Sequence, residues 1–262
     1  MALIYIGVGH IEHFLKSKTD PTLHVLLSTT LHKNTMKKFQ QYTKPWIKAE
    51  TAADKKKHAA LIIRALGTSY PNAKIALNYK NNIQLLVAVM LSAQCTDKKV
   101  NEVTDHLFKK YKTARDFASA RQKTLEREIY QTGFYRAKAR HIIAACKKIE
   151  KDFNGTLPHT MAELLTLPGV ARKTANVVLG NAYGVVDGIA VDTHVSRIAQ
   201  RLGLTKNTSP EKIEQDLMKL FPKKQWFALT YRTIDHGRAV CISQKPKCAA
   251  CPLNKMCPSS LA

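Results

Sequence analysis

From about residue 50 to the C-terminus, apolar residues recur every three or four positions, and this period confines the chain to folds that pack helix on helix. Val100, Val103, Leu107 and Tyr111 mark one helix face. Ala139, Ile142, Ile143, Cys146, Ile149 and Phe153 mark a second, closed by the turn pair Asn154-Gly155. Val191, Val195, Ile198 and Leu202 mark a third, ended by Gly203. Ser209-Pro210-Glu211 supplies an N-cap, a first-turn proline and an acid that suits the helix dipole. It opens a helix carrying Ile213, Leu217 and Leu220. Strand patterns are nearly absent after residue 35, and no internal repeat or low-complexity tract occurs. The expected class is all-α.

Residues 1–35 stand apart. Ile4, Ile6 and Val8 alternate as in a strand and Val25 to Leu31 is a short β-friendly run, but neither connects to a pattern downstream. This segment is read as a dispensable N-terminal extension of unassigned structure, with a fresh basic segment opening at Met36. His10 and His13 have no ligand partners and read as ordinary surface residues. The N-terminus lacks a basic region and a cleavage site, so no secretion signal is expected. Ile83 to Thr96 is too short for a membrane span and includes Gln84, Ser92 and Gln94, so it reads as a buried helix.

The 262 residues are enough for one large domain or two ordinary ones. Lys and Arg number 42 against 19 Asp and Glu, a formal charge of +23. Such a charge opposes compaction unless a polyanion binds it, so a nucleic acid is the expected partner. No basic amphipathic helix stands out, which ranks an anionic membrane surface well below DNA or RNA.

Cys95 and Cys146 lie in apolar helical runs and read as small core hydrophobes. The other four cysteines, Cys241, Cys248, Cys251 and Cys257, follow a C-x6-C-x2-C-x5-C spacing. With no secretion signal, such crowding indicates a metal site in a reducing compartment. A structural zinc site brings together two short C-x2–4-C knuckles, and only Cys248/Cys251 fits that form. A [4Fe–4S] cluster also takes four thiolates, and its larger cage suits the wider, unequal spans. Zinc and unliganded cysteines are the alternatives. Lys245 and Lys247, in the loop between the first two cysteines, are either solvated cations or a metal-braced grip on phosphate.

The stretch LPGVARKTANVV (residues 167–178) superficially suggests a P-loop. That loop needs a second glycine directly before the lysine, and Arg172 stands there instead. A triphosphate site is therefore a weak reading of this stretch.

Together these segments identify the chain as similar to the endonuclease III branch of the helix-hairpin-helix DNA glycosylases. The resemblance rests on LSAQCTDKKVN (91–101), GFYRAKA (133–139), LPGVARKTANVV, VDTHVSR (191–197), HGR (236–238) and the cysteine tail, and covers roughly residues 55–258. It implies a two-domain helical fold with DNA across the cleft. Residues 75–185 would form a six-helix domain, and 36–74 with 186–262 a second domain carrying the cluster.

Within that frame Leu167, Gly169, Val170, Ala171 and Arg172 would form a hairpin whose exposed N–H groups face a DNA phosphate. Gln94 would fill the space left by a flipped nucleotide and Phe134 would wedge the opposite strand. Their ordinary alternatives are a polar helix end and a core aromatic. The family commonly has an aliphatic residue where Phe134 stands and a glycine where Ala171 stands; Ala171 fits if its φ is negative, as in a first helical turn. Lys173 matches the nucleophile. Burial in the cleft and the neighbouring Arg172 cation would favour its neutral, reactive form. Asp192 matches the catalytic carboxylate, and its position also suits a helix cap. The interval between them is slightly longer than usual in the family, which places an extra residue in the GVVDG loop (184–188). His194 receives no catalytic role.

The resemblance thus implies a bifunctional glycosylase and AP lyase of base-excision repair, monomeric, acting on damaged or abasic double-stranded DNA. Its location would be cytoplasmic and nucleoid-associated in a prokaryote. Two alternatives remain at this point. A monofunctional adenine or mismatch glycosylase generally lacks a lysine at the nucleophile position. A non-catalytic iron–sulfur DNA-binding module would have no need of both Lys173 and Asp192.

Overall fold

A computed structural model describes residues 51–261. The extension at 1–35 and the basic segment opening at Met36 lie outside the described residues, as do His10 and His13. Eleven α-helices follow one another among the described residues, with short 3-10 turns and no strand. They are α1 (Ala52–Ser69), α2 (Asn82–Leu91), α3 (Asp97–Lys110), α4 (Ala114–Ala118), α5 (Gln122–Glu128) and α6 (Tyr135–Phe153). After these come α7 (Met161–Leu165), α8 (Arg172–Tyr183), α9 (Thr193–Arg201), α10 (Pro210–Leu220) and α11 (Trp226–Ala239).

Local chemistry sets most of the boundaries. Thr51, Asn81, Thr96, Thr113 and Thr160 each accept a hydrogen bond from the N–H three residues on, starting α1, α2, α3, α4 and α7. At the far end of α6, Asn154 (φ 55°) and Gly155 (φ 75°) both turn left-handed, as their pairing suggests. Ser209 departs from expectation. It stands before α10, but its hydroxyl donates to the nearby Glu211 carboxylate and caps no backbone N–H.

Two separate hydrophobic cores hold these helices. The first is built from α2 to α8 and is centred on residues such as Leu85, Leu86, Phe117, Leu125, Ile142 and Leu164. Every residue from Ile83 to Leu91 is buried, but the helix ends there, so Ser92 to Thr96 of the expected buried helix, Cys95 among them, lie outside it and are not buried. The polar member, Gln84, accepts from Lys80 N at 2.9 Å and donates to Phe108 O at 3.5 Å. Seven helices occupy this region where six were expected. Two of them, α4 and α7, have only five residues and are too short to display a periodic face. The second core joins Ala59, Ile62 and Leu66 of α1 to Ile189, Val195, Ile198, Ile213 and Leu217 from the C-terminal third.

The cores meet where α8 lies against α11. A Cβ on Gly180 would stand 2.5 Å from two ring carbons of Phe227, so only a bare backbone permits this approach. The junction leaves a cleft, and the chain passes from one core to the other through residues 184–192.

Candidate active site and DNA interface

Lys173 and Asp192 line one cavity of ≈ 570 Å³ at this junction, with Ser92 and Asp97 from the first core's side and Tyr231 and Arg238 from α11. Lys173 sits in the first turn of α8 and is exposed. Asp192 is the N-cap of α9, its Oδ1 accepting from Val195 N at 2.8 Å. No hydrogen bond to Oδ2 forms among the described residues, so the cap occupies only half of the carboxylate. Burial pushes the Tyr231 hydroxyl up to about 12, and the group stays neutral beside Asn181, whose Nδ2 donates to it at 2.6 Å.

Two expectations about the surroundings of Lys173 do not hold. The protein does not bury its side chain. Nor is Arg172 an uncompensated neighbouring cation, because its Nε donates to Glu214 Oε2 at 2.7 Å and Glu214 is almost fully buried. Glu214 Oε1 also accepts from Asn176 at 2.9 Å. Gly188 makes room for this network, since a Cβ there would lie 1.9 Å from Glu214 Oε1.

The hairpin residues separate into two groups. Leu167 and Val170 are buried members of the first core, and their N–H groups are occupied by Leu164 O and Leu167 O, both at 3.1 Å. Both N–H groups therefore already have a backbone acceptor within the protein. Arg172 likewise turns its guanidinium to Glu214 and retains only its backbone for such a contact. Gly169 adopts φ 79°, and a Cβ on it would stand 2.7 Å from His141 Cβ, so conformation and space both require glycine. Ala171 has a negative φ (−96°), but it is the extended N-cap of α8 and not part of the first turn. No side chain caps α8, so its first-turn N–H groups, at the positive end of the dipole, have no side-chain acceptor from the N-cap.

Gln94 and Phe134 line a second cavity, of ≈ 470 Å³, with Gly169, His141 and Lys138. Phe134 is 59% exposed, which removes the core-aromatic alternative. Three non-glycine residues among those described have a positive φ. Asn154 closes α6, and the other two are Gln94 (52°) and Phe134 (48°). Left-handed backbone at a glutamine and a bulky phenylalanine is costly and marks positions where the surroundings impose the conformation.

Sequence reasoning missed Asp97, Arg238 and Lys138. Arg238 Nη2 pairs with Asp97 Oδ2 at 2.5 Å, joining α11 to the start of α3 beside the first cavity. Both lie inside quoted motifs, but nothing in one sequence shows that they touch. Lys138 is buried and leaves a visible trace: a lysine one turn before Ile142, on the apolar stripe of α6.

At the C-terminus Cys241, Cys248, Cys251 and Cys257 line a partly open cavity of ≈ 420 Å³. Cations and donors surround the sulfurs. Arg201 Nη1 is 3.3 Å from Cys241 Sγ, Leu253 N is 3.4 Å from Cys251 Sγ, and His236 Nε2 is 3.6 Å from the same sulfur. Burial pushes His236 down to about 4, so its ring is neutral, and Tyr70 OH holds its Nδ1 at 3.2 Å. Arg201 also donates to Ile242 O at 2.8 Å and Ser243 O at 2.7 Å. Arg197 donates to Cys241 O at 3.0 Å. Both arginines come from α9, so the helix begun by Asp192 clamps the cysteine loop. Lys245 and Lys247 are exposed on that loop and form no ion pair among the described residues. No group of three or more His, Cys, Asp and Glu among the described residues is arranged to hold a metal ion.

An all-helical fold with a cleft between two cores, a lysine and a carboxylate inside it and an uncapped hairpin helix at its edge defines a class of DNA repair protein. The family model for the HhH-GPD superfamily of base excision DNA repair proteins matches residues 87–223. The chain belongs to that superfamily, in its endonuclease III family. Endonuclease III of Synechocystis sp. is 52% identical over 210 residues, covering 80% of this chain and 96% of the relative. Endonuclease III of Escherichia coli K12 is 36% identical over 196 residues, covering 75% and 92%. A trapped endonuclease III–DNA covalent intermediate superposes with a TM-score of 0.76 at 42% identity, covering 78% of this chain and 96% of the other. A thermostable thymine-DNA glycosylase, 21% identical with a TM-score of 0.67, shares the fold.

Proposed function

We infer that the protein is a bifunctional DNA N-glycosylase and AP lyase of base-excision repair. One observation carries the reading: Lys173 and Asp192, from different helices, line a single cavity between the two cores, in a chain of the endonuclease III family. Its substrate is double-stranded DNA bearing an oxidised pyrimidine or an abasic site. It is read as a monomer, since a single chain supplies both walls of the cavity and needs no partner subunit to complete it, and it would act at the nucleoid if its host is a prokaryote. No helix among the described residues is long and apolar enough to cross a membrane. The division proposed is residues 75–185, and 36–74 with 186–262, of which 36–50 and 262 lie outside the described residues.

In this reading the damaged nucleotide enters the cavity while Gln94 fills the vacated space and Phe134 wedges the other strand. Gly169, Ala171 and Arg172 hold a phosphate through backbone N–H groups, and Lys245 and Lys247 add charge contacts. DNA covers the exposed Lys173 and supplies the desolvation that the free protein does not. The neutral Lys173 amine attacks C1′; the C1′–N bond breaks, and its electron pair leaves with the base, which takes up a proton. Asp192 stabilises positive charge developing on the sugar and accepts the proton lost by the amine. Opening of the sugar ring converts the link to a Schiff base. C2′ then loses a proton, the C3′–O bond breaks, and water releases Lys173.

Cys241, Cys248, Cys251 and Cys257 fit a [4Fe–4S] cluster. The support is their shared cavity and the donors around their sulfurs. When bound, the cluster cross-links residues 241–257 and braces the loop that presents Lys245 and Lys247.

Borohydride trapping on duplex DNA containing thymine glycol or an abasic site tests the proposal. The wild-type protein should form a covalent adduct that Lys173→Gln abolishes. No wild-type adduct, or an undiminished one with Lys173→Gln, defeats it.

A further inference from the structure

The side chains assigned to duplex entry, Gln94 and Phe134, stand on different segments that no backbone hydrogen bond joins. Gln94 lies in the turn after α2, whose last residue is Leu91. Phe134 follows the 3-10 turn Tyr130–Thr132 and precedes α6. Both have left-handed backbone, so something outside the local chain must hold them.

Lys138 is placed to do so. Its Nζ donates to Leu91 O at 2.7 Å and to Thr132 O at 2.8 Å. Its own N–H donates to Phe134 O at 3.0 Å. One residue therefore touches the end of the helix before Gln94, the end of the turn before Phe134, and Phe134 itself. The residue is 6% exposed and forms no ion pair with a carboxylate among the described residues. Burial lowers the pKa of its ammonium group, and the negative ends of two helical turns provide the field that compensates the charged form. A buried cation without a counter-ion is an expensive way to stabilise a core, and an apolar residue on this face of α6 would pack at lower cost. The arrangement does supply a fixed distance between the two loops.

We propose that Lys138 is a positioning residue that locks the Gln94 and Phe134 loops together, so that both side chains enter the duplex as one unit. The proposal rests on the duplex-entry role assigned to that pair. A lesion in paired DNA has to be extruded, whereas an abasic site in a single strand needs no wedge. The two substrates therefore separate positioning from general damage to the fold.

The experiment compares single-turnover rates on duplex thymine glycol and on a single-stranded abasic site, for the full chain with its cluster intact. Lys138→Met should slow the duplex reaction at least ten-fold and leave the single-strand lyase rate within about two-fold. Lys138→Arg, which keeps charge and donors, should recover most of the loss. If Lys138→Met does not fold, Lys138→Gln and Lys138→Arg should still grade the duplex rate while the single-strand rate stays flat. Equal loss on both substrates, or none on either, overturns the proposal. Gln94→Ala and Phe134→Ala are measured alongside. If they show no duplex-selective loss, the wedge assignment fails. If they show it and Lys138→Met does not, only the role of Lys138 fails.

Discussion

The helices that carry Lys173 and Asp192 begin in opposite ways. Helix α9 is closed by its own acid, with Asp192 Oδ1 bound to Val195 N. Helix α8 starts at Ala171, which has no side-chain atom to offer, so its first N–H groups remain open. In the same region Arg172, whose charge could have repelled or assisted Lys173, is engaged by Glu214. One helix start thus brings a negative charge to the cleft, and the other keeps a positive end available for an anion from outside. A cap on α8 would strengthen the fold and block that end, whereas the cap on α9 leaves half of its carboxylate for chemistry.

The largest effect should come from Lys173→Gln, which removes the amine from the open side. Borohydride trapping should vanish and strand cleavage on abasic DNA should fall by on the order of 10³-fold or more, measured in single turnover. On the capped side, Asp192→Asn retains a good N-cap without its charge. Base release should drop roughly 10²–10³-fold while the thermal midpoint stays nearly unchanged. Asp192→Ala should show the same kinetic loss and an added destabilisation of about 1 kcal/mol by denaturant titration. If Asn and Ala behave alike in stability, the cap contributes nothing and the comparison loses one half.

Glu214→Ala should release the Arg172 guanidinium and leave the Asn176 amide without its acceptor. Unfolding should become easier by roughly 1–3 kcal/mol, the figure reduced because Arg172 is partly solvated. The smallest effect is the most direct test of the comparison. Ala171→Asp closes α8 as Asp192 closes α9, in backbone already extended as a cap requires. Stability should rise by about 0.5–1 kcal/mol while duplex DNA binds more weakly and with a shallower salt dependence. Tighter DNA binding by that variant would show that the helix start does not face phosphate.

The helical class, the apolar faces of α3, α6, α9 and α10 and the ends of α6 and α9 were legible in the residues, because apolar period, caps and left-handed turn residues act over one or two helical turns, whereas α11 was not read from its residues at all. Lys173, Asp192 and the four cysteines were legible through motif and spacing. The five-residue helices α4 and α7 were not, since little more than one turn carries no repeat. The hairpin was legible as a turn but not in its allocation of donors. Leu167 and Val170 look available in a Pro-Gly loop, and only packing reveals that they belong to the core with their N–H groups occupied.

What the sequence by itself determined is local: where helices start and stop, which faces are apolar, how strongly basic the chain is, and which residue types stand ready for nucleophilic and metal chemistry. Tertiary structure decided which of those residues meet. It placed Lys173 and Asp192 on one cavity, turned Arg172 away to Glu214, paired Asp97 with Arg238 and set Lys138 beneath Gln94 and Phe134. The physical reason is range. Caps and amphipathic period are satisfied within a few residues, whereas the ion pairs Arg172–Glu214 and Arg238–Asp97 exist only after two cores have closed on each other.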